Sequence, residues 1–316
     1  MSRPLALLPL LLACVFTSLV PNNADAQVYA QLKLRDSSKR YPKINQIEFP
    51  GSASTRATYD AIYGHGAMWE SEYIAFRIYM DHRQSIDLYG KKHPQLELDS
   101  TNFYSNADWM ERGYGEDILY AGQSVAAGSF RGLSNGKPAY IEEVSARGQR
   151  IVKEGPDTVV VEVWDKDWKT NGKTIQMRQV YTMLRGHRDV QVDIYLEGAS
   201  DTDIFCTGAQ KLEMENEGIM LPSTKSNNSL VASWGRNIPE KGHPELIEGV
   251  GIGVCVPKQY LEKVQEDGLN YLCLIHPVNG HIRYYLAAYA WMQEKDGFKT
   301  SKEWFDWLKK WSDLIN

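Results

Sequence analysis

The chain has 316 residues, with 35 Lys and Arg against 40 Asp and Glu, a net charge of −5, and 24% charged and 43% hydrophobic residues. These proportions exclude a disordered tail and a polycation, and they give no global attraction to nucleic acid. A chain of this size buries a large core, and 9 Trp and 18 Tyr beside 8 Phe add rings with polar tips that suit wet grooves and sugar faces as well as cores.

The amino terminus reads as an address. Met1-Ser2-Arg3 is a short positive start, Leu5 to Val20 is mostly apolar, and Ala24-Asp25-Ala26 is the small-x-small pattern of a signal-peptidase site. This predicts a signal peptide over residues 1–26 and an exported chain, periplasmic or secreted, that starts at Gln27. Leu11-Leu12-Ala13-Cys14 offers a second reading, a lipoprotein box with Cys14 lipidated. No later run is long and apolar enough to span a bilayer. Residues 27–316 are read as one β domain. Its three cysteines, Cys206, Cys255 and Cys273, are an odd number and argue against a disulfide framework. Cys255 and Cys273 sit in apolar strands, so buried free thiols are expected, with one strand-to-strand disulfide as the alternative.

Gly64-His65-Gly66-Ala67-Met68-Trp69-Glu70 precedes the first clear strand and reads as an open loop. A histidine between glycines is sterically free and suits acid–base work near neutral pH, and Glu70 offers a paired carboxylate. An exposed loop histidine is the bland alternative. Alternation then predicts strands over Glu72–Met80 and Ser85–Gly90. In the first of these, Ile74, Phe76, Ile78 and Met80 form a core face, and Tyr73, Arg77 and Tyr79 lie on the other. Next, Asp108-Trp109-Met110-Glu111-Arg112-Gly113-Tyr114-Gly115-Glu116-Asp117 is dense in carboxylates around a glycine-framed tyrosine. Asp117 is a candidate partner of Glu70 in hydrolysis, and Tyr114 a candidate general acid or base. The alternative is a solvated acidic loop.

Strands follow at Thr158–Trp168, Thr174–Leu184 and Asp189–Gly198, the first two joined by an Asn171-Gly172 hairpin turn. A weak helix is predicted around Tyr260–Glu266, and further strands at Gly249–Val256, Tyr271–Ile275 and Ile282–Trp291. The last carries Arg283, Tyr285 and Trp291 on one face. Aromatics interleaved with Arg suit a carbohydrate, because rings cover apolar C–H patches while guanidinium groups bond hydroxyls or carboxylates. An outer sheet face of cross-strand aromatic pairs is the alternative. At the carboxyl terminus, Thr300-Ser301-Lys302-Glu303 is a capping box, and Trp304, Trp307, Leu308, Trp311 and Leu314 share one helical face that reads as docking on the sheet. Long consecutive strands predict an all-β fold, a large twisted antiparallel sandwich with a C-terminal amphipathic helix. No HExxH, paired CxxC, Walker loop or dinucleotide fingerprint appears, so no metal and no cofactor are expected.

The stretch His65-Gly66, Trp69-Glu70-Ser71-Glu72, Ala75-Phe76-Arg77-Ile78-Tyr79, Ile86-Asp87-Leu88-Tyr89-Gly90-Lys91 resembles the opening of a family of secreted bacterial proteins of unknown function. Gly113-Tyr114-Gly115-Glu116-Asp117, Gly186-His187-Arg188-Asp189, Phe205-Cys206-Thr207-Gly208 and Arg283-Tyr284-Tyr285 continue the resemblance over most of residues 40–312. Members are often encoded beside enzymes that degrade pectin and other uronate-rich polysaccharides. The resemblance implies a galactose-mutarotase-like supersandwich and motif residues at His65, Glu70, Arg77, Asp87, Tyr114 and Asp117. The expectation is a carbohydrate-active enzyme cleaving uronate-containing oligosaccharides. In β-elimination, Arg77 or Arg283 neutralises the carboxylate, His65 is the base and Tyr114 the acid; in hydrolysis, Glu70 and Asp117 form the pair. The alternatives are a sugar epimerase or mutarotase and a non-catalytic binder that holds an acidic oligosaccharide on Tyr73, Arg77, Tyr79, Arg283, Tyr285 and Trp291.

Overall fold

The computed structural model describes residues 28–35, 41–223, 228–238, 247–291 and 297–315. The signal-peptide and lipoprotein readings at residues 1–26 lie outside the described residues.

Alternating apolar and polar residues put one face of each strand inside, and the strands stack in two main layers. In chain order the first strands are β1 (Tyr29–Leu34), β2 (Gln46–Pro50), β3 (Ile62–Glu70), β4 (Ile74–Tyr79), β5 (Ile86–Gly90) and β6 (Glu116–Asp117). Then come β7 (Gly132–Ser134), β8 (Lys137–Ala139), β9 (Ala146–Glu154), β10 (Thr158–Thr170), β11 (Lys173–Leu184) and β12 (Asp189–Glu197). The last are β13 (Phe205–Gln210), β14 (Met214–Leu221), β15 (Ser229–Asn237), β16 (Glu248–Val256), β17 (Leu261–Glu266), β18 (Asn270–Ile275) and β19 (His281–Ala290). A nine-stranded sheet runs β14-β15-β16-β19-β12-β11-β10-β9-β2, and a five-stranded sheet runs β1-β3-β4-β5-β6. Strands β13, β18 and β17 make a third sheet. The core lies between the two large sheets. Trp69, Phe76, Ile78 and Leu88 from the smaller meet Val161, Tyr181, Val192 and Leu286 from the larger, with the Trp69 and Tyr181 rings 5.2 Å apart.

The expected antiparallel sandwich with a C-terminal helix is therefore present. The long meander β10–β12 turns at Asn171-Gly172 with φ of 49° and 74°, the pair of left-handed residues a tight hairpin needs. Two expectations are corrected. Residues 64–70, read as a loop, belong to β3. Residues 260–266, read as a weak helix, are a single 3-10 turn at Lys258–Tyr260 followed by β17, because pairing with β18 outweighs local propensity. Cys206, Cys255 and Cys273 are buried free thiols. Among the described residues, no helix is long and apolar enough to cross a membrane.

Among the described residues, four α-helices decorate the sheets: α1 (Thr55–Ala61), α2 (Leu98–Thr101), α3 (Ala107–Glu111) and α4 (Ser301–Leu314). Helix α4 is capped as expected: the Thr300 hydroxyl accepts from Glu303 N at 3.2 Å, while the Glu303 carboxylate reaches back to Lys299 N at 2.5 Å. Trp304, Leu308 and Trp311 bury against the outer face of the nine-stranded sheet. Leu314, placed on the same stripe by spacing, is 59% exposed, and Phe305 and Ile315 join the cluster instead. The sheet admits this helix through glycines, since a Cβ at Gly251 would lie 2.9 Å from the Trp304 ring. Gly251→Ala is expected to cost about 1–3 kcal/mol in chemical denaturation by overpacking this interface. An unchanged stability would show that the helix can shift without loss.

Candidate active site

Strand β3 does not run straight. Its pairing with β1 slips between Gln31 and Lys33, and Gly64 and His65 both take positive φ, 74° and 70°. Such a bulge re-aims a side chain, and a non-glycine residue held there stores strain of order 1–3 kcal/mol. Gly66 then lets the chain return onto β4, where a Cβ would meet Ile78 O at 1.9 Å. Buried Gln149 ties this bulge to the other sheet, accepting from Ala67 N at 2.7 Å and donating to Ile78 O at 3.1 Å. His65 is thereby presented to the outer face of the five-stranded sheet.

On that face Arg77 of β4 stands opposite Asp87 of β5. Its guanidinium is enclosed, with the residue 1% exposed. Arg77 Nη2 donates to Asp87 at 2.5 Å, to the Tyr79 hydroxyl at 2.7 Å and to Asp117 of β6 at 3.1 Å, while Nη1 donates to the Tyr104 hydroxyl at 2.7 Å. The Phe103 ring lies 4.2 Å from the guanidinium carbon. Asn102 and Phe103 have φ of 51° and 74°, a second strained pair, which turns Tyr104 toward Arg77. The His65 ring stacks on Tyr59 at 4.2 Å and lies 6.1 Å from Tyr79. Arg83 bonds Asp81 and the Tyr59 hydroxyl.

These groups line a cleft of about 1150 Å³, with Tyr120, Gln123, Glu116 and Tyr140 around its rim. Tyr104 and Tyr120 are 45% and 41% exposed and offer ring faces and hydroxyls to a ligand.

One cation serves two carboxylates, and the electrostatics follow. Burial and the neighbouring Asp87 push the Asp117 carboxyl well above its usual range, against the opposing pull of Arg77. Burial raises Asp87 also, while Arg77 and the Tyr79 hydroxyl oppose that rise. Of the two, Asp117 is pushed up the more strongly, and 22% of its side chain is open to the cleft. Beside Glu116, burial and the Glu116 carboxylate raise Glu248 to about 8. His65 moves the other way: burial first, then Arg77 and Arg35, lower it to about 4, and its Nδ1 is enclosed without a hydrogen bond. The cleft thus holds an imidazole that is neutral at neutral pH and a carboxyl pushed above its usual range. The His65 ring is expected to titrate near pH 4 by NMR, and a midpoint near 6.5 would show it solvated. The native state binds fewer protons here than the unfolded chain between pH 6.5 and 4, so His65 makes stability fall as pH drops through that window.

The structure brings His65, Arg77, Tyr79 and Asp117 into one cleft and places the other sequence candidates elsewhere. Glu70 is fully buried and bonded to Lys91 Nζ at 2.5 Å and to the backbone N–H groups of Glu97 and Leu98. With the Glu97 carboxylate, which accepts from the Tyr89 hydroxyl and Gly115 N, it pins residues 91–117 over the sheet. It is therefore not a carboxylate that faces Asp117 across a substrate. Tyr114 packs on Trp109 at 4.6 Å, outside the cleft lining. Tyr73 precedes β4 and lies under Arg188 at 5.1 Å. Arg283, Tyr285 and Trp291 belong to the outer face of the nine-stranded sheet, on the opposite side of the sandwich. There Arg283 pairs with Asp193 at 2.7 Å, Tyr285 packs beside α4, and Trp291 stacks on Trp234 at 4.5 Å. Arg77 is also not free to clamp a substrate carboxylate, being consumed by two of its own.

Sequence reading missed Tyr59, Arg83, Tyr104, Tyr120 and Tyr140, which reach the cleft from loops and short helices with no spacing signal. The resemblance marks Asp87 as a motif residue but gives it no role. Among the described residues, no group of three or more His, Cys, Asp or Glu could hold a metal ion.

A two-layer β-sandwich with a tyrosine-lined cleft of titratable groups on the outer face of its smaller sheet is the class these features define. The chain belongs to the family described as a domain of unknown function, DUF4861, whose model matches residues 15–316. No curated protein matches it. Among solved structures it is similar to a putative aldose 1-epimerase from Klebsiella pneumoniae subsp. pneumoniae, at 8% identity and a TM-score of 0.40, with 89% of this chain and 95% of that one covered. It is also similar to YidC from Thermotoga maritima, at 12% identity and a TM-score of 0.33, with 70% of this chain and 47% of that one covered. Neither likeness is close enough to transfer chemistry.

Proposed function

We propose that the cleft binds a carbohydrate and catalyses proton transfer on it, in the manner of a mutarotase or epimerase, with His65 as base and Asp117 as acid. The carrying observation is the juxtaposition of an enclosed neutral imidazole and a carboxyl that shares one guanidinium with a second carboxylate, on the wall of one tyrosine-lined cleft. Tyrosine rings supply faces for sugar C–H patches and hydroxyls for sugar oxygens. In mutarotation, His65 accepts the proton of the anomeric hydroxyl as the ring C–O bond breaks, and the ring oxygen takes the Asp117 proton. Rotation about the bond to the freed carbonyl carbon and reversal of both transfers restore the catalyst.

Charge favours a neutral sugar over a uronate. Arg77 is matched by Asp87 and Asp117, Arg83 by Asp81, and Glu116 also lines the cleft. No described lining cation is left over for a substrate carboxylate, so a neutral sugar fits better than an acidic one. Hydrolysis by two carboxylates fits poorly too. Asp87 and Asp117 bond the same nitrogen and so are neighbours on one wall, whereas hydrolysis needs them to flank a bond.

The test is anomer exchange, followed by NMR saturation transfer on freshly dissolved neutral aldoses, beside ultraviolet absorbance on uronate oligosaccharides. Accelerated exchange with flat absorbance is expected. Rising absorbance with exchange at the uncatalysed rate would overturn the proposal in favour of a lyase, and sugar binding without either signal would reduce the protein to a binder.

A further inference from the structure

The cleft has a neighbour across His82. A second pocket of about 340 Å³ opens between β2, α1 and the first turn of β9, and it shares Thr55 and His82 with the main cleft. The two adjoin across these side chains. The main cleft alone already exceeds the roughly 300–1,000 Å³ of small-molecule sites, more than one ring needs.

The smaller pocket has polar ends suited to hydroxyls. Arg147 is 8% exposed; its Nε donates to Asp165 at 2.6 Å and its Nη2 to Ile141 O. Its Nη1 is left with no hydrogen bond among the described residues, although the side chain lines the pocket. The Ser54 hydroxyl accepts from Ala57 N at 3.1 Å and keeps its proton to donate. Asp81 also lines the pocket, and its carboxylate accepts from the Tyr59 hydroxyl at 3.0 Å; the Tyr59 ring stacks on His65. Its occupant would thus be linked to His65 through two side chains, Asp81 and Tyr59.

We infer that the ligand is a neutral oligosaccharide, and that this pocket is a second sugar subsite beyond the one that holds the reacting ring. The inference rests on the carbohydrate reading above and extends it to chain length. A second ring adds contacts without a second loss of translational freedom, so affinity rises with length until the subsites are filled.

The test is calorimetric titration of the full chain with galactose, mannose, xylose and rhamnose and with the di- and trisaccharides of each. Wild type is expected to bind the oligosaccharide of its preferred sugar at least about tenfold more tightly than the monosaccharide, or ~1.4 kcal/mol. Ala53→Trp, which plugs the small pocket, is expected to bring that ratio to about one. Should this variant melt early, Glu142→Trp, at an exposed lining position, gives the same reading. A monosaccharide bound as tightly as its oligomers by wild type overturns the subsite and leaves the carbohydrate function standing. A length preference that survives a folded plugged variant also overturns it, by placing the added ring elsewhere. Failure of every sugar to bind removes both.

Discussion

Asp117→Asn is expected to lower kcat for anomer exchange by about 10²–10⁴-fold while changing stability by less than about 1 kcal/mol. The amide has the size of the carboxyl but no proton to give. It also cannot accept on both sides, so it forfeits one of the bonds that Asp117 takes from Leu119 N at 3.3 Å and Arg77 Nη2 at 3.1 Å. Against that loss stands relief of the like-charge contact with Asp87. The pH dependence separates this from a packing effect. A carboxyl raised in the folded state binds a proton that the unfolded chain has released, so its contribution favours folding at low pH and is lost as pH rises through the native value. Wild type therefore carries a downward slope of stability with rising pH that the variant lacks. The same proton sets an alkaline limb in the pH–rate profile, and neutral His65 sets an acid limb near 4. Asp117→Asn that retains its kcat would sink the assignment of Asp117 as acid.

Arg77→Met is expected to destabilise the protein by about 3–5 kcal/mol, because it leaves two enclosed carboxylates without their cation. It also removes the donor that Tyr79 and Tyr104 share and the charge over the Phe103 ring. The loss is expected to shrink from pH 7 to pH 5, since the stranded carboxylates take up protons more readily in the folded state. Asp87→Asn in the same chain recovers part of it, with a coupling of about 0.5–3 kcal/mol expected of residues in one network. Urea unfolding of the four members of this cycle at both pH values measures each term. A loss below about 1 kcal/mol with no coupling would mean that Arg77 does not organise the cleft.

Much of the sandwich was legible because alternation is a local signal. The β10–β12 meander, its Asn171-Gly172 turn and the capped helix at Thr300 each depend on residues close in sequence. Strand β3 was not legible, since Gly64-His65-Gly66 carries the composition of a loop and becomes strand only through pairing with β1 and β4.

The site divides the same way. The sequence by itself determined that Arg77 and Tyr79 share a face, because side chains two apart on a strand point the same way. It also marked His65 as sterically special. Only the tertiary structure decided that Arg77 meets Asp87 and Asp117, because that requires the order β4-β5-β6 across the sheet. It decided too that Glu70, five residues from His65 on the same strand, is roofed by residues 91–117 while His65 is left open to ligand. The two aromatic faces, alike in sequence, lie on opposite sides of the sandwich because each sheet turns its apolar face inward. A period of two fixes which residues share a face, and the stacking of layers fixes what each face meets.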